Sequence, residues 1–128
     1  IDIATLTGAC VVALGEDVIG MMGTDEKIKS ALKKASEETG ELIWELPLWG
    51  IYSDLIKSDI ADFKNTGGRL AGAITAAAFL SKFVENCPWV HLDIAGPAWR
   101  TKEKPYIPKG ASGAAVRLLI EYLQNQLQ

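Results

Sequence analysis

Ile1-Asp2-Ile3-Ala4-Thr5-Leu6-Thr7-Gly8-Ala9-Cys10 opens the chain as an apolar, strand-like run that turns through Thr5-Leu6-Thr7-Gly8 into a helix-like segment. That passage decides the fold class. Open α/β sheets bind ligands beyond the carboxyl ends of their strands, where a turn of small residues leaves backbone N–H and C=O groups within reach. The pattern returns where Trp89-Val90-His91-Leu92-Asp93-Ile94 runs into Ala95-Gly96-Pro97. Two such strand ends can line one crevice.

Outward from these two stretches, strand and helix signals alternate. Val18 to Gly23 reads as a buried strand flanked by glycines. Thr24-Asp25 then opens a helix over Glu26 to Thr39, with Ile28, Ala31, Leu32 and Ala35 at helical spacing and Gly40 as its stop. Glu41 to Leu48 reads as extended, broken by Pro47, and an amphipathic turn or helix runs from Tyr52 to near Asp62. Leu70 to Val84 is alanine-rich and apolar nearly all round, which predicts a helix buried against a sheet. Pro88 separates it from strand 89–94; a polar loop from Arg100 to Lys109 then precedes a last helix over Ala114 to Leu127, with Ser112 as the expected cap. The expected class is α/β, with a mainly parallel or mixed sheet flanked by helices. No internal repeat or linker divides it, so residues 1–128 read as one unit.

Composition narrows the function classes. The chain has 128 residues, 48% of them hydrophobic, which is enough for a core. A net charge of −3 leaves no basic field to neutralise phosphates, so nucleic acid is a poor partner. No apolar run approaches the roughly 20 residues a membrane helix needs, and no targeting segment is visible. Cys10 and Cys87 each lie in apolar surroundings and are expected to be buried free thiols, which makes the cytoplasm the expected compartment. Because Ile1 begins directly in a strand that needs neighbours on both sides, the chain is expected to be a piece of something larger.

Four segments occur in a fixed order: Asp2-Ile3-Ala4-Thr5-Leu6-Thr7-Gly8-Ala9, Asn65-Thr66-Gly67-Gly68, Gly72-Ala73-Ile74-Thr75-Ala76, and His91-Leu92-Asp93-Ile94-Ala95-Gly96. Together with Trp99 and Lys109-Gly110-Ala111-Ser112-Gly113, they make the whole chain resemble the C-terminal part of the leucyl aminopeptidase (cytosol aminopeptidase) catalytic domain. The resemblance implies a zinc-peptidase-like α/β sandwich that assembles as a homohexamer and hydrolyses N-terminal residues from peptides. It also implies two divalent metal ions, zinc or manganese, with no ligand expected in this chain. The family's ligands are a lysine, aspartates and a glutamate, the last of them in an Asn-Thr-Asp-Ala-Glu-Gly-Arg signature that does not occur here. The family's arginine that holds a bicarbonate base, and its catalytic lysine, match no residue of this sequence either, so the segment alone is expected to be inactive.

What carries over is substrate binding. By resemblance, Thr5 and Gly8 line the pocket for the substrate's N-terminal side chain, Leu6 offers its backbone carbonyl, and Gly8 offers a backbone N–H. Ala95 and Ala98 complete the pocket, and Ala98 stands where relatives often carry a bulkier residue such as Met, so the pocket is expected to be roomier. Thr66 matches a position near the next substrate residue.

The remaining chemistry-bearing residues read as structural. His91 and Asp93 share a strand face, yet a lone histidine beside a carboxylate is more simply a satisfied pair than a metal site. Asp59 and Asp62 read as turn or capping devices. Lys109 to Gly113 lacks the order and spacing of a P-loop, and Arg100 to Lys104 reads as a solvated loop. Trp44, Trp49, Trp89 and Trp99 read as core or interface. Two rival classes are a nucleotide-binding α/β domain, whose Gly-x-Gly-x-x-Gly is missing after the first strand, and a non-catalytic assembly or regulatory piece of the same fold.

Overall fold

The computed structural model describes residues 1–127. Its main sheet has four strands in the order β1-β4-β2-β3, formed by β1 (Asp2–Ala4), β2 (Ile19–Gly23), β3 (Ile43–Glu45) and β4 (Val90–Asp93). β1 runs parallel to β4 and β3 parallel to β2, while the central β2–β4 pairing is antiparallel. The sheet is therefore mixed, with parallel pairings on both flanks.

Alternation along the strands sends side chains to two different layers. Ile19 and Met21 of β2 and Val90 and Leu92 of β4 pack with Leu32, Ala35 and Leu118, closing one face under α2 (Glu26–Thr39) and α5 (Val116–Gln126). The other face meets α1 (Gly8–Leu14) and α4 (Gly72–Ser81), where Met22, Ala77 and Trp89 form a smaller cluster. Small residues let this second layer approach closely. A Cβ on Gly20 would stand 2.7 Å from Cys10 Sγ, and one on Gly72 would stand 2.9 Å from Ala9 Cβ.

Helix ends follow their capping chemistry. Asp25 accepts from Ile28 N at 2.8 Å to start α2, and Gly40, at φ 70°, ends it in the left-handed conformation with its N–H on the Ser36 carbonyl. α5 is started differently from the expectation. Ser112 Oγ donates to the Pro97 carbonyl at 2.5 Å and accepts from Ala114 N; it does not reach the helix proper. The cap comes from Glu41, whose carboxylate accepts from Ala115 N at 3.0 Å and Leu118 N at 2.7 Å.

Three other expectations are corrected. The helix after Trp49 is only α3 (Gly50–Asp54); beyond it Ser58 Oγ accepts from Ile60 N and Ala61 N, which bends the chain into turns. Trp99–Arg100 and Gly110–Ala111 form a small antiparallel pair, β5 and β6, at the ends of the expected loop. Cys87 is exposed, since it lies in the turn after α4 rather than against the sheet; Cys10 is buried as expected. Among the described residues no helix is long and apolar enough to cross a membrane.

Candidate functional site

β1 and β4 are adjacent and parallel, with Ala4 opposite Asp93, so both chains leave the sheet side by side at the same edge. The pairing extends one step further, Ile94 N donating to the Ala4 carbonyl at 2.9 Å. The turn Thr5–Thr7 and the turn Ala95–Ala98 therefore begin next to each other. This brings Thr5, Leu6, Gly8, Ala95 and Ala98 into one neighbourhood.

One side chain holds the two turns together. Asp93 Oδ1 accepts from Leu6 N at 3.1 Å and from Ala95 N at 3.1 Å, while Oδ2 accepts from Thr7 Oγ1 at 2.7 Å. Thr7 Oγ1 in turn accepts from Cys10 N at 2.9 Å and caps α1. Asp93 is fully buried, so these three donors take the place of water around its carboxyl group. Sequence reasoning took Asp93 only as a partner for His91. The signal that could have found its role was an acidic residue ending an apolar strand just before a turn of small residues.

The two glycines of the turns serve different needs. A Cβ on Gly8 would meet nothing within 4 Å, so this position faces open space. A Cβ on Gly96 would stand 2.3 Å from the Gly15 carbonyl oxygen, so glycine is required for backbone to pass backbone. Thr5 is exposed, Leu6 and Ala95 are half-buried, and the Ala98 carbonyl accepts from Ser112 N at 3.1 Å, which anchors the second turn to the C-terminal segment. Thr66 belongs to a separate loop ahead of α4. It is exposed, its hydroxyl accepts from Gly68 N at 3.1 Å, and the loop is packed on α4 through Gly67, whose Cβ would meet Thr75 at 2.7 Å.

Next to the turns, burial and then the charge of Asp93 push the Cys10 thiol up to about 11, against a weaker opposing pull from the Gly20 backbone. It stays protonated at neutral pH and is no nucleophile. His91 pairs with Asp2 instead of Asp93: its Nδ1 lies 2.6 Å from Asp2 Oδ1, and Trp89 Nε1 donates to Asp2 Oδ2 at 2.5 Å. Asp59 and Asp62 are exposed, and the turn attributed to them is made by Ser58. Trp89 is buried, whereas Trp44, Trp49 and Trp99 are exposed.

A cleft of about 460 Å³ opens between Arg100, Tyr106 and Arg117 and meets the paired turns only at Pro97. Its Asp17 carboxylate takes Arg100 Nη1 and Lys104 Nζ, each at 2.8 Å, and these bonds, that from Lys104 foremost, hold it below the usual carboxylate range. That pairing closes much of the cleft's charge on itself, so the open backbone of the turns is the better candidate site. Among the described residues no group of three or more His, Cys, Asp or Glu side chains gathers in a way that could hold a metal ion. The arrangement offers walls and backbone polar groups for a bound molecule.

The profile of the cytosol aminopeptidase family catalytic domain matches residues 1–120. A probable cytosol aminopeptidase of Geobacter sulfurreducens is 59% identical over 97% of this chain, and one from Cenarchaeum symbiosum is 53% identical over all of it. The chain spans about a quarter of the length of these relatives, 25% and 27% respectively. Among solved structures, the bottromycin maturation enzyme BotP in complex with Mn superposes with a TM-score of 0.94 at 39% identity, covering 99% of this chain and 28% of that one. A mutant of tomato leucine aminopeptidase gives 0.88 at 40% identity, covering 97% and 24%.

Proposed function

We propose, because the chain belongs to the cytosol aminopeptidase family, that the full-length protein removes N-terminal residues from peptides and that residues 1–128 are the C-terminal portion of its catalytic domain. In this reading Thr5, Gly8, Ala95 and Ala98 line the pocket for the first side chain of the peptide. The Leu6 carbonyl and the Gly8 N–H meet its backbone, and Thr66 lies towards its second residue. A divalent metal accords with the Mn complex of one structural neighbour. Two such ions, zinc or manganese, would be held by residues outside this chain and supply an activated water and Lewis acidity when bound. A homohexamer in the cytoplasm completes the proposal, as the family resemblance suggests.

The observation that carries the reading is the side-by-side exit of two small-residue turns from neighbouring parallel strands. Such an edge exposes unpaired backbone groups where a peptide can be held without large side chains in the way. The test uses metal-loaded full-length protein and short peptides. Gly8→Val and Ala95→Phe should each lower kcat/KM by about tenfold or more for large N-terminal side chains, the scale on which pocket shape discriminates. Full activity in both variants removes the pocket assignment. Absence of peptide hydrolysis by the metal-loaded wild type removes the activity and leaves an assembly role, whereas hydrolysis that survives stripping of the metals removes the metal-dependent mechanism.

A further inference from the structure

We infer that Asp93 is the positioning residue of the substrate pocket, a clasp that sets the two turns relative to one another. The inference rests on the reading of those turns as the pocket and adds to it the group that determines their spacing. Both carboxylate oxygens are committed as acceptors: Oδ1 joins one amide from each turn, Leu6 N–H and Ala95 N–H, and Oδ2 takes the Thr7 hydroxyl. Because Thr7 Oγ1 accepts from Cys10 N, its proton is free to point at Oδ2. A carboxylate satisfies all three donors without reorienting any of them.

Leu6 is thereby fixed on both sides. Its N–H holds the preceding peptide plane, and the Thr7 hydroxyl holds the following residue, so the Leu6 carbonyl keeps a set direction. The same oxygen that holds Leu6 holds Ala95, so a shift of one turn is passed to the other. On the neighbouring strand Gly20 sits opposite Asp93, and the absence of a Cβ there makes room for Cys10, whose Sγ it would meet at 2.7 Å, while Asp93 Cβ at 3.7 Å would be in ordinary contact. Asp93 touches no substrate in this scheme; it acts through the backbone of the turns.

The test compares Thr7→Val, Thr7→Ser and Asp93→Asn in metal-loaded full-length protein at a temperature where each is folded. Thr7→Val keeps the shape and deletes both the proton that reaches Oδ2 and the acceptor that caps α1 at Cys10 N. It should raise KM about fivefold or more with a smaller change in kcat, and shift the preference between small and large N-terminal side chains; Thr7→Ser should restore both. Asp93→Asn should fall between, since its oxygen still serves the two amides. A purely structural role would lower the melting temperature and leave KM and side-chain preference unmoved, and that result overturns the inference. If Gly8→Val and Ala95→Phe are also silent, the pocket reading has failed; if they are effective while the Thr7 and Asp93 variants are silent, the clasp alone has failed. Should the variants not fold, single-residue amide exchange of the wild type decides: Leu6 and Ala95 must exchange as slowly as the amides of β4, and rapid exchange at either overturns the proposal.

Discussion

Asp2 and Asp93 sit on neighbouring strands, and each gathers donors from the segment beside it, Asp93 also from Ala95 in its own turn. Asp2 takes the His91 and Trp89 ring nitrogens at the start of the β1–β4 pair, with its side chain 41% exposed. Asp93 takes two backbone amides and a hydroxyl at the other end, with no exposure at all. The first joins side chains where water can replace a lost partner; the second joins backbone where it cannot. The difference assigns Asp2 to fastening the sheet and Asp93 to shaping what emerges from it.

The most direct way to break this contrast is to truncate both. Asp93→Ala leaves three donors without their acceptor and should cost about 3 kcal/mol, whereas Asp2→Ala should cost about 1 kcal/mol because solvent reaches the gap. Denaturant midpoints of the full-length variants measure both, and equal losses would void the comparison. Next in size is the contrast between the two turn glycines. Gly96→Ala drives a methyl group against the Gly15 carbonyl and should cost about 2 kcal/mol. Gly8→Ala enters open space at the start of α1 and should be neutral or stabilise by up to about 1 kcal/mol. A destabilised Gly8→Ala would show that this turn is packed like the other.

A third carboxylate gives the smallest effect. Glu45 binds Lys29 and Lys33, and those hydrogen bonds hold it below the usual carboxylate range. Its folded-state pKa is depressed, so its contribution is present above the unfolded value of about 4.3 and is lost as pH falls through the folded value. Lys29 shifts the other way: burial alone would lower it, but its bonds to Glu26 and Glu45 outweigh burial and raise it. Glu45→Gln should cost less than about 1 kcal/mol at neutral pH, since Glu45 is 30% exposed and such pairs are screened. The loss should shrink as the pH is lowered below the unfolded value of about 4.3, which thermal melts of both proteins across a falling pH series would show.

What was legible in the sequence was what local chemistry determines. α2 was readable from Asp25, its periodic apolar face and Gly40, because each acts within one helical turn. The two small-residue turns were readable for the same reason. The antiparallel direction of the central β2–β4 pairing was not, since nothing in the side-chain alternation of Ile19 to Gly23 distinguishes an antiparallel from a parallel neighbour. β5 and β6, at two residues each, are too short to show a period. The clasp escaped for a related reason: the donors at Leu6 and Thr7 are 87 and 86 positions from Asp93, and only the folded sheet places them together.

The same logic governs the C-terminal helix. Val116–Gln126 has no side-chain cap of its own, and the carboxylate that receives its first amides belongs to Glu41, 74 and 77 positions earlier. A helix that depends on so distant a starter cannot nucleate well by itself, because ordering its first turn is the costly step. α5 is therefore expected to consolidate late, after α2 has ended at Gly40 and presented Glu41, and the order of folding is written into which residue supplies the cap.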